Sequence, residues 1–258
     1  MNVKNSALTI EMLFPEIANL HGDNANITYL AQCRPDARVV RTSLTDTPAF
    51  VGESVDLVYL GPMTEHGQRT AIERLRPHRD RIESLIEEGT AFLFTHNALE
   101  VLGSRIRNDE MHYDVPGLGI FELESTLQMF GRYSGKVMGT AVEAGAQHPI
   151  VGYKSQFSMV TAPEALPGFI TADRGIGRNR ATAVEGVRRN NFIGTSLIGP
   201  LLVNNPWFTR GLLAQLDSDS EPVLAHESLA IAAYEARLAD FRDARRWHPF
   251  ERVSPSAN

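Results

Sequence analysis

An α/β fold with a mostly parallel central sheet between two helical layers is predicted by three observations. Apolar runs of strand length alternate with stretches of helical spacing from residue 7 to residue 103. One of those strands, over 91–94, passes into helical spacing with no room for a loop. The chain has 258 residues, 43% of them hydrophobic, enough for a large buried core. The whole of 1–258 reads as one domain, with a core over about 7–216, a helix over 224–246 and a frayed tail over 253–258.

Residues 7–13 form the first strand, and Phe14-Pro15 stops it. A polar turn containing Gly22 leads into a helix over 27–33, which Pro35-Asp36 breaks. Residues 39–44 give the second strand and 56–60 the third, ending on Gly61-Pro62. A charged helix follows from about 68 to 88, with Ile72, Leu75, Ile82, Leu85 and Ile86 as its apolar face and Pro77 as a split or kink. Next comes the strand over 91–94. It ends at Thr95-His96-Asn97, and Leu99, Val101 and Leu102 continue at helical spacing to Gly103. Such an elbow lifts one side chain above the carboxyl edge of a sheet, toward main-chain N–H groups, and unrelated hydrolases mount nucleophiles on it. Here the residue at its tip is His96.

Beyond Pro116-Gly117-Leu118-Gly119, a turn whose G-x-G is too common to signal a dinucleotide site, the period shortens. Residues 136–142, 150–153, 157–161, 183–188 and 191–196 are short β-rich pieces set off by Gly and Pro, with Arg188-Arg189-Asn190-Asn191 at a hairpin turn. Two helices close the chain. One starts at Pro206, and the other, over about 224–246, offers Leu229, Ala232, Ala233, Ala236, Leu238 and Phe241 as packing positions.

Composition excludes several function classes. A net charge of -6 without a basic stripe argues against nucleic acid as a partner. No run approaches the ~18 apolar residues of a membrane span, and the first residues lack an apolar signal core, so a cytoplasmic location is expected. The single cysteine, Cys33, excludes an internal disulfide and a cysteine-based zinc site. The eight histidines show no ligand spacing, and His226-Glu227 lacks the second His of H-E-x-x-H. No metal and no cofactor is expected.

Several stretches carry a pattern in register. Asn19-Leu20-His21-Gly22-Asp23-Asn24-Ala25-Asn26 is similar to an N-L-Y-G-D-x-G-N opening, and 56–61 with Gln68 to a strand followed by G-G-G-x-D-x-x-Q. The elbow is similar to G-x-P-I-L-A-x-C-G-G-Y-Q-L-L-G. Residues 116–120 are similar to P-G-L-G-L-L-D and 151–153 to the start of V-G-F-E-N-H. Glu185-Gly186 with 194–202 is similar to E-G…G-T-Y-L-H-G-P-L-L, continued by Asn205-Pro206. Together these resemble class I glutamine amidotransferases of the cobyric-acid-synthase (CobB/CobQ-like) type, and within it the amidotransferase subunits of lipid II isoglutaminyl synthases. The resemblance implies a flavodoxin-like three-layer domain.

Glutamine hydrolysis in that family needs an elbow thiolate to attack the side-chain amide, a histidine to carry the proton to ammonia, and N–H groups to hold the oxyanion. The resemblance puts the nucleophile at position 96 and the base at 198, where this chain has His96 and Ile198. Asn97 and Ala98 replace the two glycines after the nucleophile. Gly61-Pro62-Met63 replaces the triple-glycine loop, the proline removing one N–H, and Lys154-Ser155-Gln156 stands for Glu-Asn-His. Cys33 lies far from the elbow in motif order.

Replacement of both essential groups predicts a pseudo-enzyme that acts as a binding or regulatory subunit. The partner the resemblance implies is a Mur-ligase-like synthetase, and the former glutamine pocket is open to a small-molecule ligand. Gly61, Asn97, Arg132 and Gln156 are its expected binding residues, Arg132 because Gly131-Arg132-Tyr133-Ser134-Gly135 resembles an R-x-x-G near that pocket. Two enzymatic alternatives stand beside this. One is a cavity repurposed around His96 as acid or base, recognisable by a carboxylate or second histidine within reach. The other is a glutaminase surviving through other residues. Asp23 and Asn26 read as a helix cap or as residues shaping the pocket. Peptidoglycan precursor amidation and cobalamin-type synthesis are both reachable from the resemblance, and the opening over 19–26 favours the first.

Overall fold

The computed structural model describes residues 7–108, 112–128, 131–141 and 148–252, with side chains to residue 249. Val142, the end of one predicted strand, and the predicted tail over 253–258 lie outside the described residues. The first half alternates strand and helix. It runs β1 (Thr9–Leu13), α1 (Ala25–Cys33), β2 (Arg38–Thr42), α2 (Ala49–Gly52), β3 (Leu57–Leu60), α3 (Glu65–Leu75), α4 (Arg79–Glu88), β4 (Ala91–Thr95) and α5 (Ala98–Val101). The one-turn α2 is too short to leave a periodic signal. Pro77 splits the long charged helix: α3 ends at Leu75, a 3-10 turn spans Arg76–His78, and α4 resumes at Arg79.

β1, β3 and β4 are wholly buried, as strands covered on both faces must be. Their alternating side chains divide the core into two layers. Val58, Leu60, Phe92 and Phe94 pack with Ile72, Leu75, Ile82 and Ile86 of α3 and α4. Leu57, Tyr59, Ala91 and Leu93 face the opposite way, toward Ile27 and Leu30 of α1.

The second half is richer in strands than its sequence suggests. In order come β5 (Arg105–Asn108), β6 (Tyr113–Pro116), β7 (Glu124–Leu127), β8 (Arg132–Ala141), β9 (Ile150–Gln156), β10 (Ser158–Thr161), β11 (Ile170–Arg174), β12 (Val184–Glu185), β13 (Val187–Arg189) and β14 (Phe192–Thr195). α6 (Leu201–Asn204), α7 (Pro206–Leu216), α8 (Glu227–Arg242) and β15 (Phe250–Arg252) follow. β14 returns to the main sheet beside β4 in parallel register, Phe192 opposite Phe92 and Thr195 opposite Thr95. The main sheet has the order β13-β14-β4-β3-β1-β2, all parallel except the β13–β14 hairpin. β2 and β3 lie on opposite sides of β1, so the winding reverses there and a crevice opens at the carboxyl ends of β1 and β3.

Two expectations need correction. The piece over 183–188 is not one strand: Gly186, at φ +67°, breaks it into β12 and β13, which join different sheets. A Cβ there would stand 2.4 Å from the Gly194 carbonyl oxygen. On α8, Leu238 and Phe241 are buried as expected, together with Tyr234, whose hydroxyl donates to the Pro149 carbonyl at 2.9 Å. Leu229 is 70% exposed and Ala232, Ala233 and Ala236 are exposed too, because α8 docks on a different stripe, at i, i+4 and i+7. No helix among the described residues is long and apolar enough to cross a membrane.

Candidate functional site

β4 is buried through Thr95, and the next residue turns sharply. His96 has φ +55°, in the left-handed region that costs an L residue about 1–2 kcal/mol. That turn converts strand into α5 within two residues and sets His96 at the carboxyl edge of the sheet, where it lines a cavity. Its Nε2–H donates to the Ser155 carbonyl of β9 at 2.9 Å, which leaves Nδ1 as the bare nitrogen. Nδ1 is buried and has no hydrogen-bond partner among the described residues. Burial pushes the imidazole pKa below its ordinary value, outweighing the Ser155 carbonyl that favours the charged form. The His21 ring meets it edge-on with centroids 5.3 Å apart, and burial and then Arg132 lower His21 as well.

Position 198 is built differently. Ile198 forms an isolated antiparallel bridge with Tyr153, by Tyr153 N–H to the Ile198 carbonyl at 3.1 Å and Ile198 N–H to the Tyr153 carbonyl at 2.9 Å. The segment leading to it hangs on Glu185, which accepts from the Thr195 hydroxyl and the Ser196 N–H, both at 2.8 Å. Lys154 lies 3.5 Å from Glu185, both side chains wholly buried, and donates to the Gly177 carbonyl at 2.6 Å. Asp23 reaches the same segment, accepting from Gly199 N–H at 3.3 Å, while its other oxygen is buried with no hydrogen-bond partner among the described residues. Burial raises that carboxyl to about 6. Asp23 thus does not cap α1, whose cap position, Asn24, makes no side-chain cap bond. Asn26 ties α1 to α6, accepting from Leu202 N–H at 2.8 Å and donating to the Tyr59 hydroxyl at 3.2 Å.

The cavity at His96 holds about 230 Å³. One wall is α3 and α5. There Glu100, 4% exposed, accepts from the Ser158 hydroxyl and, at 3.3 Å, from Gln68 Nε2. Burial outweighs those donors and lifts the Glu100 carboxyl to about 7. Arg132 lines the same cavity, donates to the Ser155 hydroxyl and lies 5.5 Å over the Phe157 ring. Asn97 also lines the space, but its carboxamide is engaged with Met63. Oδ1 accepts from Met63 N–H at 3.1 Å and Nδ2 donates to the Met63 carbonyl at 2.8 Å. Gln68 Nε2 donates to the Asn97 carbonyl at 2.8 Å.

Of the residues singled out in the sequence, His96, Asn97 and Arg132 come together around this cavity. Gly61, Gln156 and Ile198 are not among its lining residues. Gly61 is buried against the loop after β1, where a Cβ would stand 2.4 Å from the Ala18 carbonyl oxygen. Gln156 is buried and donates to the Ser158 carbonyl at 2.7 Å. Sequence reasoning overlooked Glu100, although it falls one helical turn after His96 and helical spacing would have marked it. Cys33 is buried on α1, in the core layer of Leu57 and Tyr59, and its sulfur accepts from Ala225 N–H at 3.2 Å.

Comparison with known proteins bears on the fold and the family. The sequence pattern of the CobB/CobQ-like glutamine amidotransferase domain matches residues 9–206. The glutamine-hydrolyzing lipid II isoglutaminyl synthase subunit GatD of Staphylococcus aureus (strain N315) is 25% identical over 209 residues, 80% of this chain and 83% of that protein. A glutamine amidotransferase from Thermotoga maritima has a TM-score of 0.51 at 9% identity, over 90% of this chain and 93% of that one. Another glutamine amidotransferase crystal structure gives 0.53 at 15% identity, over 80% of this chain and 98% of that one. At these identities the two structures establish a shared fold.

Proposed function

The chain belongs to the CobB/CobQ-like glutamine amidotransferase domain family, and we propose that it is a member without a glutaminase, serving as a binding or regulatory subunit of a Mur-ligase-like synthetase that amidates a cell-wall precursor. One observation carries the reading. The elbow presents an imidazole where a thiol is needed, and the position of the general base holds Ile198, a side chain that cannot move a proton. Cys33, the one thiol in the sequence, is buried on a helix away from this edge and cannot stand in.

The likeness to the staphylococcal subunit supports the cell-wall assignment and the need for a partner. A subunit of this kind stabilises its synthetase and leaves it to use free ammonia. Amidation by the synthetase, with this chain bound, tests that directly. Ammonium salts should support the reaction and glutamine should not. Glutamine-supported amidation, or a synthetase that neither binds this chain nor gains stability from it, would overturn the reading.

A second reading has a specific observation in its favour. Glu100 and His21 share the cavity with His96, as an acid/base site would require. Under that reading the wild type should hydrolyse a small amide, and His96→Gln and Glu100→Gln should each abolish the activity.

A further inference from the structure

We infer that Asn97 is a built-in occupant of the site, a side-chain carboxamide that holds the Met63 peptide edge, which a ligand carboxamide would otherwise pair with. The inference rests on the reading of a cavity without glutaminase chemistry, and its test reads binding rather than turnover. Met63 follows Pro62, which has no N–H, so Met63 supplies the next main-chain donor after Gly61, and unlike Gly61 it lines the cavity. Its N–H and its carbonyl both face Asn97, at 3.1 and 2.8 Å. A carboxamide offers one acceptor and two donors in a plane and can satisfy a peptide N–H and C=O at once, whereas a carboxylate has no proton for the carbonyl. Asn97 does this with its own side chain.

The contact is locked from both sides. Met63 is 1% exposed and Asn97 8%, so water does not compete for these bonds. Gln68 Nε2 grips the Asn97 carbonyl at 2.8 Å, and α5 begins at the next residue. Because Asn97 is tethered beside Met63, its effective concentration exceeds what a free amide ligand of ordinary abundance can reach. Asn97 has φ -73°, an ordinary helical value, so an alanine there imposes no backbone change. Removing the carboxamide therefore frees the edge of Met63 without remaking the elbow.

The test is calorimetric titration of the full chain with L-glutamine and with L-glutamate, for the wild type and Asn97→Ala. The expected result is at least tenfold tighter glutamine binding by Asn97→Ala, with no comparable gain for glutamate. Equal glutamine affinity in the two folded proteins would overturn the inference, as would an equal gain for both ligands. If Asn97→Ala does not fold, amide hydrogen exchange of Met63 in the wild type decides. A protected Met63 N–H agrees with the contact, and rapid exchange there overturns it. Glutamate release by the wild type would instead refute the absence of glutaminase, a separate result.

Discussion

Ile198 and Tyr153 exchange both of their main-chain hydrogen bonds, at 3.1 and 2.9 Å. Two residues further along β9, the carbonyl of Ser155 takes the His96 ring N–H at 2.9 Å. The two positions at which the sequence resemblance places a base and a nucleophile are therefore both fastened to one strand. Ile198 is fastened through its backbone and His96 through its ring. Each makes a structural contact, and the consequences can be measured.

The elbow stores strain that a substitution can release. His96→Gly removes the left-handed cost of about 1–2 kcal/mol and loses one hydrogen bond worth about 1 kcal/mol. Its stability should stay within about 1 kcal/mol of the wild type in urea denaturation. His96→Val, β-branched at positive φ, should cost about 2 kcal/mol or more.

Glu100 makes stability depend on pH. Its ordinary value is 4.5 and the folded chain raises it to about 7, so between those values the folded state holds the extra proton. The stability it contributes is full below pH 4.5 and is lost as pH rises through 7, about 1.4 kcal/mol for each unit of separation. Asp23, raised to about 6, acts in the same direction. The decisive quantity is thus the difference between wild type and Glu100→Gln. Denaturation from pH 4 to 8 should show a shallower decline in the variant.

The Lys154–Glu185 pair lies wholly inside the protein, with Glu185 also holding Thr195 and Ser196. Lys154→Met removes the cation 3.5 Å from the buried Glu185 carboxylate and leaves it only the charge of Arg178, which should cost up to about 3–5 kcal/mol. Adding Glu185→Gln should recover part of that loss. Thermal unfolding of the two single variants and the double variant measures the coupling.

Gly61→Ala should destabilise by about 1–3 kcal/mol in urea, because its Cβ would meet the Ala18 carbonyl oxygen at 2.4 Å and the backbone has to move.

The parts of the fold legible in the sequence were those with strong local signals. The apolar runs of β1, β3 and β4 and the break at Pro77 are local and unambiguous. β5, β6 and β7 are not: Arg105–Asn108 and Tyr113–Pro116 are short, half-exposed and polar strands that pair with each other, and β7 pairs with β10, with Leu127 opposite Ser158. On α8 the stripe of Leu229, Ala232, Ala233 and Ala236 is as periodic as the stripe that packs. Only tertiary docking on Pro149 and Lys136 chooses between them. At the site, the elbow and His96 were readable from one strand-to-helix junction. The Asn97–Met63 contact was not, because the two residues are 34 apart and Asn97 is an ordinary helix-start residue.

Glutamate release from L-glutamine by the purified wild type, alone and with the proposed synthetase partner, tests the central claim most directly. Beside it belongs a triple variant, His96→Cys, Ile198→His and Asn97→Gly, which restores the thiol, the base and the open Met63 edge. The account predicts no release by the wild type in either setting and a gain in the triple variant. Sustained release by the wild type alone would contradict it, since neither His96 nor Ile198 could then be the end of the glutaminase.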